Sequence, residues 1–229
     1  MPLQEHVAFL PRGVSEDTAR EALAFTRAIP EGAWGKVQPR SKEKTRIRFG
    51  AQEFYGAKGG GEVPPPLRAL GEEALEAVRA ELPRDVVAGW APRNCLVNAY
   101  HQKKGVAKHR DPSDKWAPLV IGVTLYEDRF DAPSAMQFTT LPDNPTREKL
   151  RVGTPHRSVY AFHGDAFFHA NHERLPGSAS QRKIVYSFTF RSGLDELALD
   201  DAPARARAPL AASRRAASGP TADDGRGFV

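Results

Sequence analysis

Helix-forming residues dominate the stretch after Ser15-Glu16-Asp17, a triplet that suits a helix start because short polar side chains cap exposed backbone amides. A helix is predicted over about residues 16–29, although Ala19, Leu23, Phe25 and Ile29 make an imperfect stripe, with Pro30 and Gly32 stopping it. Residues 56–66 (GAKGGGEVPPP) predict a flexible loop closed by a stiff proline run. Leu67, Leu70, Ala74, Leu75 and Val78 then recur at helical spacing and predict a second helix to about Leu82, before Pro83. After residue 90 the pattern changes to β-branched and aromatic runs between turn residues: CLVNAY, PLVIGVTLY, AMQFTT, SVYAFHG and KIVYSFTFR. Two helices followed by many short strands predict an α+β chain whose β part is a sandwich or jelly roll. From about Leu194 the chain is rich in Ala, Pro, Arg and Asp and nearly lacks aromatics, so residues 194–229 are expected to be a disordered tail on a domain of residues 1–193.

The 229 residues suit one domain with appendages, and 40% hydrophobic with 27% charged content is ordinary for a globular chain. No run approaches the roughly 20 apolar residues of a membrane helix. The opening MPLQEHVAFLPRG lacks a basic start followed by an apolar stretch, so no secretory signal is expected. Cys95 is the sole cysteine, which excludes an internal disulfide and fits a reducing compartment. The chain is therefore expected to be intracellular, cytoplasmic or nuclear, away from membranes and monomeric. Net charge is +5 and the pI about 9.4, which leans toward polyanionic partners. Lys36 to Arg48 (KVQPRSKEKTRIR) concentrates that charge and by itself reads as a solvated loop.

The candidate chemistry begins at His109-Arg110-Asp111. Two histidines and one carboxylate on one face of a metal leave positions open for a co-substrate and O₂, the arrangement of non-haem Fe(II) oxygenases. On an extended strand residues i and i+2 point the same way, so His109 and Asp111 can reach one ion. A distal histidine must come later, and His156, His163, His169 and His172 are available. His-Arg-Asp also occurs in protein-kinase catalytic loops, but Trp116 stands where that loop needs asparagine.

Further residues surround this pair in a recognisable order. Asn98-Ala99-Tyr100 precedes His109, with Gly105 between them. His172 follows the turn Gly164-Asp165-Ala166, and Ser187-Phe188-Thr189-Phe190-Arg191 closes the strand region. In this order and spacing the chain resembles the AlkB family of oxidative nucleic-acid demethylases, over about residues 8–193. The resemblance implies a double-stranded β-helix (jelly roll) core with N-terminal helices packed on one sheet. It implies Fe(II) held by His109, Asp111 and His172, with His169 in reserve for the last. It further implies 2-oxoglutarate and O₂ as co-substrates, with Asn98, Tyr100 and Ser187 contacting 2-oxoglutarate and Arg191 pairing with one of its carboxylates. Arginine suits that task because its planar fork meets a carboxylate bidentately.

The chain departs from the family pattern at Val185, where a second arginine normally stands six residues before the terminal one. Lys183, in the same strand phase, and the adjacent Arg182 are the sequence's replacements. A second departure is Ser113, with Asp114 one further along, where base-repairing relatives carry an acid. The activity implied is oxidative removal of N-methyl or alkyl groups from bases in DNA or RNA, releasing formaldehyde and succinate. The alternatives are a 2-oxoglutarate oxygenase acting on protein or a small molecule, and a catalytically impaired nucleic-acid binder. By resemblance, residues of about 36–66 form a nucleotide-recognition lid. Within and beside it Phe54, Tyr55, Arg46, Arg48 and Trp116 are candidate substrate contacts, with Phe49, Lys42 and Lys44 behind them.

Overall fold

A computed structural model describes residues 2–36, 44–50, 61–101, 105–127, 134–176 and 184–194. Helices α1 (Glu16–Arg27), α2 (Pro65–Val78), α3 (Arg84–Val87) and α4 (Gly164–Phe168) accompany two antiparallel sheets. The large sheet runs β1 (Val7–Leu10), β9 (Ser158–His163), β6 (Trp116–Tyr126), β11 (Ile184–Gly193), β4 (Asn94–His101), β3 (Lys44–Phe49) and β2 (Gly35–Lys36). The small sheet runs β5 (Val106–His109), β10 (Ala170–Leu175), β7 (Ser134–Thr140) and β8 (Lys149–Thr154). This is the α+β jelly-roll architecture expected, with the N-terminal helices α1 and α2 on one sheet.

Both predicted helices form, each slightly shorter than the sequence suggests. Ser15 caps α1 by accepting from the Thr18 amide, and its own amide and hydroxyl donate to Glu73 at 2.7 and 3.2 Å, which ties the start of α1 to the middle of α2. Proline at the first position opens α2, where the missing N–H costs nothing. Its predicted stripe is buried along its whole length, and the helix passes into a single 3₁₀ turn (Arg79–Glu81) before Pro83.

Strand alternation divides the large sheet into two faces. On β11, Tyr186, Phe188 and Phe190 turn outward with Val97 and Cys95 of β4, Leu119, Ile121, Val123 and Leu125 of β6, and Val159 and Ala161 of β9. Helices α1 and α2 cover this face and make one apolar core with it. The alternate residues turn inward toward the small sheet. One inward row crosses five strands in register: Ser158, Thr124, Ser187, Asn98 and Arg46. The next row reads Tyr100, Val185 and Tyr126. A smaller apolar cluster, including Phe138, Phe162, Tyr160 and Met136, fills the rest of the space between the sheets.

Candidate metal centre

His109 ends β5 and faces His172 of β10 directly across the antiparallel ladder. Asp111 lies two residues on, just beyond the strand rather than within it, in the bend before Pro112. One ligand atom from each residue lies within 4.8 Å of the others, and among the described residues this is the group able to hold an ion. The His109 and His172 rings are 4.3 Å apart at their centroids. His109 Nδ1 sits 2.8 Å from the Ala107 carbonyl oxygen, which favours the tautomer that leaves Nε2 as the free lone pair.

Asp111 is fully enclosed, and Arg191 holds it bidentately. Arg191 Nη2 donates to Oδ1 and Oδ2 at 2.9 and 2.8 Å, and Nε donates to Oδ2 at 3.0 Å. Burial alone would raise this carboxyl's pKa; Arg191, His172 and His109 together overcome it and hold the group below its ordinary value. His172 is pushed down to about 3, first by burial and then by its charged neighbours, against the pull of Asp111. The site therefore presents a neutral imidazole and an ionised carboxylate, the protonation states a divalent metal requires. Two nitrogens and one oxygen converging from a strand pair fit Fe(II) in a facial triad.

The other histidines lie elsewhere. His169 is exposed at the end of α4, His163 is buried beside His6 at the end of β9, and His156 Nδ1 accepts from the Tyr126 amide. Around the cluster, a cavity between the sheets is lined by Asn98, Tyr100, Ser187, Arg191, Arg46 and Arg174, among others. Burial raises the Tyr100 hydroxyl to about 12, partly offset by Arg174, so it is a neutral donor.

Arg46 extends into this cavity and donates through Nε to Asn98 Oδ1 at 3.2 Å, so it belongs to the inner wall rather than to a loop surface. Arg48, two residues along the same strand, lines a second recess with Trp116 and Arg191, where the Arg191 guanidinium lies 5.6 Å from the Trp116 ring centroid. Arg191 is thus engaged by Asp111 and Trp116. Phe54, Tyr55, Lys42, Arg182, Lys183, the Lys44 side chain, most of the lid and the tail beyond Leu194 lie outside the described residues.

Arg174 is the cavity residue that motif matching passed over. The signal was present in β10, where Ala170, His172 and Arg174 alternate inward with Asn171, Glu173 and Leu175. Once His172 is placed inward, period two places Arg174 inward as well.

No protein-family model matches the chain. A curated relative, uncharacterized protein L905 of Acanthamoeba polyphaga mimivirus, is 26% identical over 119 residues, covering 49% of this chain and 53% of its own. The chain thus spans about half the length of that relative. The solved structure of OsALKBH1 is similar with a TM-score of 0.54 and 16% identity, covering 84% of this chain and all of that one. The fold is AlkB-like, and it carries a His/Asp/His cluster suited to a metal. Among the described residues, no helix is long and apolar enough to cross a membrane.

Proposed function

We propose that the protein is an Fe(II)- and 2-oxoglutarate-dependent dioxygenase that oxidatively removes N-methyl or alkyl groups from bases in DNA or RNA. The observation that carries this reading is the convergence of His109, Asp111 and His172 beside a cavity lined by Asn98, Tyr100, Ser187 and Arg191. His109, Asp111 and His172 would hold the iron, and the bound metal with its oxo-acid co-substrate would supply the oxidising power that hydroxylates an N-methyl carbon. The residues' share is placement. Arg191 keeps Asp111 ionised and fixed in orientation, the Ala107 carbonyl fixes the His109 ring, and Phe138 and Phe162 flank His172 with apolar surface that excludes water.

A base inside a duplex cannot reach a centre enclosed between two sheets, so the substrate must be single-stranded or flipped out. The basic inner strand carrying Arg46 and Arg48 and the net charge of +5 support a polyanionic substrate. The test is incubation with Fe(II), 2-oxoglutarate and single-stranded oligonucleotides carrying 1-methyladenine, 3-methylcytosine or N6-methyladenine, read by mass spectrometry with Asp111→Ala as control. Loss of the methyl group with wild type alone is the expected result. Succinate formation with every oligonucleotide intact would move the substrate to protein or a small molecule. Absence of both would leave a nucleic-acid-binding relative without turnover.

A further inference from the structure

Among the described residues, Arg174 is a buried cation without an acid. It is 3% exposed, and its guanidinium is held by hydroxyls alone. Nη1 donates to Thr124 Oγ1 at 3.2 Å, and Nη2 donates to Ser134 Oγ at 2.6 Å and to Thr154 Oγ1 at 3.4 Å. Among the described residues no carboxylate reaches it, whereas Arg191 in the same cavity is matched by Asp111. A charge taken out of water and left unneutralised is costly, so a buried guanidinium facing a cavity calls for an anion that arrives with the ligand.

Its position gives that anion an address. His172 and Arg174 are consecutive inward residues of β10, and two residues of strand advance about 6.8 Å. A chain anchored at the metal and running along β10 therefore brings its far end to Arg174. The guanidinium carbon also lies 5.2 Å from the centroid of the Tyr100 ring, and Tyr100 is the in-register neighbour of Val185. Val185 packs with Tyr100 and Tyr126 in one small apolar cluster on the cavity side of β11. Arg174 reaches this cluster from the facing sheet. The Gly105 position makes room for this strand, because a Cβ there would collide with the Arg174 carbonyl oxygen.

We infer that Arg174 binds the distal carboxylate of a dicarboxylic 2-oxo acid whose other end is held at the His109/Asp111/His172 centre, with Tyr100 beside it. This rests on the oxygenase reading above, and it separates the two arginines: Arg191 serves the metal ligand, and Arg174 serves the co-substrate. Lys183 and Arg182 are then not needed for that task.

The test compares 2-oxoglutarate with 2-oxopentanoate, which has the same carbon count and no distal carboxylate, by anaerobic calorimetric titration of the Fe(II)-loaded protein. Wild type is expected to prefer 2-oxoglutarate. Arg174→Gln should weaken 2-oxoglutarate on the order of 100-fold while leaving 2-oxopentanoate unchanged, because one charged partner has been withdrawn. Arg174→Lys should recover part of the preference and gives the same reading if the glutamine variant fails to fold. If either variant weakens both acids equally, Arg174 is a structural tie between Ser134, Thr154 and Thr124, and the inference falls. If Fe(II)-loaded wild type binds 2-oxoglutarate and the variants bind it as well as wild type, the inference falls alone. If wild type binds Fe(II) and neither acid, the oxygenase reading falls and takes the inference with it.

Discussion

The two faces of the large sheet are made from the same strands and do opposite work. On β11 the residues Tyr186, Phe188 and Phe190 meet helices, while Ser187, Thr189 and Arg191 meet the cavity. The outer face needs only volume and apolarity, so it is filled with interchangeable hydrophobic groups around Leu67, Leu70 and Val78 of α2. The inner face needs specific partners, because every polar group removed from water there must be satisfied. Stability and chemistry are thus interleaved residue by residue along one strand, and a substitution's consequence depends on its parity before its type.

The sharpest way to break this comparison is Asp111→Ala. It removes a metal ligand and the carboxylate of the buried Arg191 pair, so metal binding should be lost and the apo protein destabilised by about 3–5 kcal/mol. Chemical denaturation of the apo form and a metal titration read the two effects separately. Phe188→Ala, on the outer face, should cost a similar or slightly smaller amount of stability, about 3–5 kcal/mol, because it empties a wholly buried ring position. Metal affinity per folded molecule should be unchanged. Loss of affinity in the Phe188 variant would show that the faces are not separable.

A gentler pair adds one methyl under a ring on each side. A Cβ at Gly122 would collide with the Tyr160 ring on the inner face; one at Gly71 would come 2.8 Å from the Phe190 ring and 2.6 Å from Pro92 on the outer face. Each alanine should destabilise by about 1–3 kcal/mol through overpacking. Better helix propensity at position 71 should return up to about 1 kcal/mol. Gly122→Ala alone should alter co-substrate affinity, since Tyr160 lines the cavity. Calorimetric titration of both variants distinguishes them.

How much of this was legible in the sequence depends on the same parity. The first helix was readable from its helix-forming residues and the Ser15 cap, the second from a stripe at helical spacing that ends before Pro83. The outer-face strands were readable as continuous apolar runs, PLVIGVTLY above all, because both of their faces are buried. β8 and β10 were not, since KLRVGT and ANHERL alternate charged and apolar residues in short edge or small-sheet strands that resemble loops. The metal triad was legible from spacing and resemblance, and the structure brings those three residues together. The attachment of Arg191 to Asp111 and the inward turn of Arg174 were not, because a motif names residue types and leaves their partners open. The first follows only once the strands are paired, and the second once β10 is recognised as a strand with His172 turned inward.

The smallest expected effect concerns His163, the last outward residue of β9, where the apolar face gives way to polar neighbours. Burial, and after it the proximity of His6, lower its pKa to about 4 against the opposing pull of Asp85. The His6 ring lies 5.2 Å away, itself 3.8 Å from Asp165. The unfolded ring takes a proton near pH 6.5 and the folded ring only near pH 4, so the unfolded state binds more protons between these values. The contribution is therefore fully present above pH 6.5, lost as pH falls toward 4, and flat below that. It amounts to at most about 3 kcal/mol. His163→Gln, which carries no charge at any of these pH values, should remove that slope. Subtracting the variant's pH–stability curve from that of the wild-type apo protein cancels the histidines that do not interact with His163, leaving His163 and its coupling to His6. A difference that stays constant from pH 4 to pH 7 would mean that His163 is protonated as readily when folded as when unfolded, and that the outer face is wetter at this end than its packing implies.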